Sequence, residues 1–187
     1  AIAHGERMAG SLACQLEGLE LPPVAARFLE RARTTADGDR VTALWEAEMA
    51  RRALSHLDVP VILLKGAAFV AAGLDAGRGR QIGDLDILVP RDRLDDVEAA
   101  LLGAGWEWVK PDPYDDAYYR EHMHELPPLI HHERDRMIDV HHTILPLTAR
   151  ITPDADALIA DAVPLKPSLL QGKGLGVGER GGLSVLC

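Results

Sequence analysis

The chain has 187 residues, 47% of them hydrophobic, enough to bury a core and suggesting one domain with an appended segment. Its net charge of -9 argues against an extended surface for duplex nucleic acid, without excluding a local basic pocket. No run reaches the apolar length that spans a bilayer, and no basic stretch followed by an apolar one marks an export signal. Two cysteines, Cys14 and Cys187, are too few for a disulfide framework and fit a reducing compartment, so a cytoplasmic location is expected. The sequence begins with Ala1 and not Met, which reads as a missing start.

Residues 1–57 read as an N-terminal helical segment. Leu12, Leu16 and Leu19 recur at helical spacing, Pro22 and Pro23 interrupt, and Val24 to Arg33 continues. A second break at Ala36-Asp37-Gly38-Asp39 precedes Val41 to Leu57, whose partly apolar stripe suits packing more than chemistry. The apolar run Val59 to Leu64 then reads as a buried strand, opening a core over residues 58–146. Lys65-Gly66 ends it, and Ala67 to Leu74 continues as a helix of small residues. Asp75 to Arg80 is a glycine and arginine loop leading into Gln81 to Val89, a second strand. A helix from Pro90 through Leu102, closed by Gly103-Ala104-Gly105, leads to a strand at Trp106 to Val109. Lys110 to Glu121 reads as loop or short helix, and two further strands, His124 to His132 and Arg136 to Ile144, flank a polar turn. Residues 147–187 hold a weak helix, Asp154 to Ala162, and a glycine-rich, flexible tail. The pattern predicts an α+β fold: a small mixed sheet flanked by helices.

Asp84 and Asp86 are the main clue to function. Alternate strand residues share a face, so both carboxylates point one way while Leu85, Ile87 and Val89 point the other. Two like charges so close call for a cation between them or a retained proton. Mg²⁺ suits such a pair, since it takes one or two carboxylates and leaves positions for water and phosphate oxygens. Asp139 is a third acid in a strand and shares its face with Met137 and His141. Three such acids suffice for phosphoryl or nucleotidyl transfer, in which metal ions clamp the reacting oxygens. Lys65, the N–H groups of Gly66 and Ala67, and Arg80 would meet a triphosphate. His141 is placed to orient the Asp139 carboxylate or approach the acceptor.

Taken together, Leu64-Lys65-Gly66-Ala67-Ala68, Arg80, Gly83-Asp84-Leu85-Asp86-Ile87-Leu88-Val89, Gly103-Ala104-Gly105-Trp106 and Ile138-Asp139-Val140-His141 resemble the uncharacterised nucleotidyltransferase family of the DNA polymerase β-like superfamily. The resemblance covers residues 59–145. It implies Mg²⁺ or Mn²⁺ at Asp84, Asp86 and Asp139, a nucleotide site at Lys65, Gly66, Ala67, Arg80 and Gly83, and transfer of a nucleoside monophosphate from a nucleoside triphosphate such as ATP to an acceptor. The acceptor is left open among a tRNA end, a protein and a small molecule. Gly66-Ala67 stands where the superfamily usually has Gly-Ser or Gly-Gly, and the glycine-rich end reads as a chain cut short of part of its substrate-binding region.

Two other readings stay open. One is a polymerase β-like domain that binds nucleotide or a partner without turnover, as in toxin and antitoxin pairs. The other is a zinc protein, from His122-x-His124, His131-His132 and His141-His142. Adjacent strand histidines face opposite ways, so each pair offers at most one ligand to a given centre.

Overall fold

Pro22 and Pro23 separate two helices, α1 (Ala9–Gln15) and α2 (Pro23–Leu54), in a computed structural model that describes residues 7–165 and 182–186. Proline suits the first turn of α2, where its missing N–H would have had no helical partner. The expected break at Ala36-Asp37-Gly38-Asp39 does not occur, and α2 runs through it as one helix of 32 residues. An interior glycine costs about 1 kcal/mol, and burial of Ala36, Ala43, Leu44, Ala47, Ala50 and Leu54 along the helix outweighs it. Glu48 is buried on the same helix, accepting hydrogen bonds from Arg51 Nε and Nη2 at 2.7 and 2.9 Å and from Arg52 Nε at 2.8 Å. A carboxylate leaves water only with such partners.

β1 (Val61–Leu63) runs directly into α3 (Lys65–Ala71), and β2 (Asp84–Leu88) leads through a 3-10 turn to α4 (Leu94–Gly103) and β3 (Trp106–Trp108). The stretch read as loop or short helix forms α5 (Pro113–His122), because Asp112 Oδ1 accepts the Tyr114 N–H at 2.9 Å and caps it. β4 (Leu129–His131) and β5 (Met137–His141) follow, and Asp154 caps α6 (Ala155–Ala160). Two more strands, β6 (Val163–Pro164) and β7 (Leu183–Val185), come from the segment read as weak helix and tail. All seven join one mixed sheet in the order β3-β4-β5-β2-β1-β7-β6, an α+β fold with an N-terminal helical segment. The glycine-rich stretch lies, apart from Gly182, outside the described residues.

The period of two divides the sheet. Val61, Leu63, Leu85, Ile87, Ile138 and Val140 face the main core, packed with Ala47 and Leu54 of α2 and Val97 and Leu101 of α4. Ile62, Leu64 and Leu88 face the other side, covered at one end by Leu158 and Ile159 of α6. Asp84, Asp86 and Asp139 belong to this second face.

The N-terminal helix docks on the loop before β2. A β-carbon at Gly79 would stand 2.3 Å from the Gly10 carbonyl oxygen, and Gly79 has a φ of 66°. Only glycine meets both demands without displacement.

Candidate active site

β2 and β5 are parallel neighbours in a register that sets Asp84 beside Met137, Asp86 beside Asp139 and Leu88 beside His141. Register partners project to one side of a sheet, so the three aspartates and His141 share a face. Asp86 is buried, and its Oδ1 accepts from Lys65 Nζ at 2.5 Å and from His141 Nε2 at 3.0 Å. Burial pushes this carboxyl up, but the His141 and Lys65 hydrogen bonds, with the charge behind them, outweigh it and hold Asp86 below the usual carboxylate range. Asp139 differs. Burial pushes its carboxyl up to about 6, and the negative charges of Glu125, Asp86 and Asp84 add to the shift. Asp84 is exposed at the start of β2.

Lys65 begins α3 with a φ of 47°, in the left-handed region that favours glycine. Strain of this kind gathers at functional sites. Burial draws the ammonium down, yet the hydrogen bond to Asp86 outweighs it and holds Lys65 above its ordinary pKa. The expected nucleotide residues cluster unevenly. Arg80 lies against the turn, since a β-carbon at Gly66 would stand 3.5 Å from its Nε and 3.3 Å from Ile82 Cγ1, and its guanidinium covers the Phe69 ring at 5.5 Å. Ala67 turns its side chain into the main core, leaving only backbone to meet a ligand. Gly83 is exposed, and a β-carbon there would stand 3.0 Å from Arg7 Nη1. Arg7 is thus a basic group beside the site that sequence reading did not name.

Glu125 is the other addition. It bridges to His141 in antiparallel fashion, and its Oε2 lies 3.2 Å from His141 Nδ1 and 3.6 Å from His124 Nε2. The strand expected over His124 to His132 is split: Pro127 and Pro128 carry no N–H for the ladder, β4 begins at Leu129, and residues 124–126 pair with the end of β5 separately. Strand alternation would turn Glu125 away from His124, but the chain bends at His124 and their side chains come within 3.6 Å, and no local pattern says which strand Glu125 opposes.

Among the described residues no further histidine joins this group. His131 meets Trp106 edge-on at 4.9 Å and stacks on His132, whose Nδ1 lies 2.6 Å from the Gly105 carbonyl oxygen. His142 faces away from His141, with Nε2 3.2 Å from the Met123 carbonyl oxygen, and burial, with the nearby charge of Arg91, pushes its pKa down to about 4. His122 packs against Tyr118.

A family model described as an uncharacterised nucleotidyltransferase matches residues 1–172. The chain belongs to this family. No curated protein and no solved structure matches it. The family match extends past the strand and glycine motifs on both sides, taking in α1, α2 and the described residues through β6. Membership supports a general role in nucleotidyl transfer. Among the described residues no helix is long and apolar enough to cross a membrane.

The acid face offers oxygen donors of the kind a hard divalent cation takes. Asp84, Asp86 and Asp139 lie on this one face, Lys65 and His141 answer Asp86, and burial with the charge of the neighbouring acids pushes Asp139 up to about 6. Carboxylate oxygens in excess of cations are the donor set Mg²⁺ takes.

Proposed function

We propose that the chain moves a nucleoside monophosphate from a nucleoside triphosphate to an acceptor hydroxyl, with Mg²⁺ or Mn²⁺ held by Asp84, Asp86 and Asp139. The observation that carries this reading is the pairing of Asp86 with Asp139 across parallel strands, on the face that Asp84 shares. Asp84, Asp86 and Asp139 would hold the metal, which would supply neutralisation of the phosphate charge. Lys65, whose side chain is 53% exposed, and Arg80 beside Gly66 supply positive charge for the triphosphate. Asp139, on the same face as Asp86, helps take the proton of the acceptor hydroxyl. The acceptor oxygen then bonds to the α-phosphorus, the bond from that phosphorus to the bridging oxygen breaks, and pyrophosphate departs. His141 fixes the Asp86 carboxylate through its Nε2 hydrogen bond and so acts as a positioning residue. The acceptor class is a tRNA end, a protein or a small molecule, and long duplex nucleic acid is disfavoured by the net charge of -9.

Calorimetry tests the reading directly. Triphosphate binding is expected to require Mg²⁺ or Mn²⁺ and to vanish in Asp84→Ala and Asp86→Ala, while equal binding without metal would sink the proposal. Incubation with α-labelled triphosphates and separate pools of tRNA, protein and small molecules would then identify the labelled acceptor.

A further inference from the structure

Beside the acid face lies a group of different chemistry. Residues 124–126 are held to the end of β5 by the Leu126 N–H to Val140 O and His142 N–H to His124 O hydrogen bonds, both 2.9 Å. This pairing brings one ring nitrogen of His124, one of His141 and a carboxylate oxygen of Glu125 within 4.8 Å of one another. Among the described residues no other group of histidine, cysteine and acid side chains converges so closely. The two imidazole rings are 5.1 Å apart and tilted by 39°.

The hydrogen bonding of His141 is incomplete in a telling way. The side chain is 1% exposed, and its Nε2 faces Asp86 Oδ1 at 3.0 Å. An ionised carboxylate only accepts, so Nε2 carries the proton. Its Nδ1 is buried and lies 3.2 Å from Glu125 Oε2 without making a hydrogen bond. A ring nitrogen and a carboxylate oxygen that close call for a proton or a metal ion between them. Lys65 is engaged with Asp86 Oδ1. His124 Nδ1 is likewise buried without a hydrogen-bond partner.

A histidine that donates one ring N–H to a carboxylate and turns its other nitrogen toward further ligands is the arrangement of a metal-binding imidazole, with the carboxylate fixing tautomer and orientation. Two imidazole nitrogens with one carboxylate oxygen suit borderline divalent ions such as Zn²⁺ and Co²⁺, whereas Mg²⁺ and Ca²⁺ prefer oxygen alone. We propose that His124, Glu125 and His141 form a binding site for a divalent transition ion of the zinc class, with Asp86 orienting His141 from behind. The site is distinct in ligands from the three aspartates and does not depend on nucleotidyl transfer. It shares Asp86 with that face through His141, so an ion here stiffens the hydrogen bond that fixes the Asp86 carboxylate.

The test uses the untagged full chain, stripped of metal with a chelator and titrated with Co²⁺ while its visible absorption is followed. The proposal expects a single saturable Co²⁺ site per chain, competed by Zn²⁺ and not by a large excess of Mg²⁺. Affinity falls more than about 100-fold in His124→Ala and in the near-isosteric Glu125→Gln, and about 10- to 100-fold in Asp86→Asn with the spectrum retained. His132→Ala, removing an exposed histidine outside the group, leaves the titration unchanged. Melting of each metal-free variant at the wild-type temperature shows that any loss is one of ligation. The proposal is overturned if Co²⁺ gives no saturable absorption, if Mg²⁺ displaces it, or if His124→Ala and folded Glu125→Gln bind as wild type does.

Discussion

Asp86 and Asp139 are register partners on adjacent parallel strands, yet their carboxyls are driven to opposite sides of the usual carboxylate range. Lys65 and His141 both reach Asp86 Oδ1, so Asp86 stays ionised, while Asp139 receives burial and the repulsion of its acidic neighbours. The face is thereby divided between a fixed negative charge and a group that titrates near neutrality.

Asp139 therefore lowers the stability of the metal-free protein at neutral pH. Its native pKa of about 6 lies above the ordinary value of 3.8, so the native state holds this proton more tightly than the unfolded chain does. The contribution is full below about pH 4 and is lost as pH rises through about 6. Asp139→Asn is expected to raise the metal-free melting point at pH 8, by roughly 1 kcal/mol of stability after allowance for solvent screening, and to abolish transfer. Mg²⁺ should stabilise wild type more than the variant. Scanning calorimetry with and without Mg²⁺ decides it, and a variant that melts below wild type at pH 8 contradicts the assignment.

Lys65→Met removes one of two hydrogen-bond donors to a buried carboxylate. Leaving Asp86 with His141 alone is expected to destabilise the fold by about 1–3 kcal/mol and to weaken triphosphate binding at least tenfold. Lys65→Arg, with its longer planar head, should recover part of the stability and less of the binding. Urea unfolding and calorimetry read the two effects separately, and unchanged binding in Lys65→Met would remove Lys65 from the nucleotide site.

His142 opposes Asp139 in its pH dependence. Its native pKa of about 4 lies below the ordinary value of 6.5, so its contribution to stability is present above about pH 6.5 and lost as pH falls toward 4. His142→Gln, which keeps a side-chain donor for the Met123 carbonyl, should flatten the melting temperature against pH across that window. An acid limb as steep as in wild type would mean that other groups govern it.

Gly79→Ala tests how the N-terminal helix is tied to the site. The substitution forces a β-carbon to within 2.3 Å of the Gly10 carbonyl oxygen at a φ of 66°. It is expected to cost about 1–3 kcal/mol and to speed amide exchange in α1 and the 77–80 loop, with slower change in β2 and β5. Hydrogen exchange by mass spectrometry measures both, and uniform acceleration across the sheet would show that α1 docking is not a local event.

The amino-acid sequence by itself determined the alternation that sends Asp84 and Asp86 one way and Leu85 and Ile87 the other, because strand geometry has a period of two whatever surrounds it. It likewise determined the strand-to-turn step at Leu64-Lys65-Gly66 and the strand acid Asp139, since apolar runs and glycines act locally. What it left undecided are relations between segments distant in the chain. The registers that put Asp86 beside Asp139 and Glu125 opposite His141 depend on hydrogen bonds across strands, and no local pattern encodes them. Helix α2 runs unbroken through Gly38 because burial along its length outweighs local propensity. Leu183–Val185 pairs with β1 and places Leu183 and Val185 in the main core, although its neighbours in sequence are rich in glycine. Arg7 stands beside Gly83, just before the helix whose Gly10 packs on Gly79. The sequence thus supplied the acids and the face they share, and tertiary pairing decided which cations and histidines stand beside them.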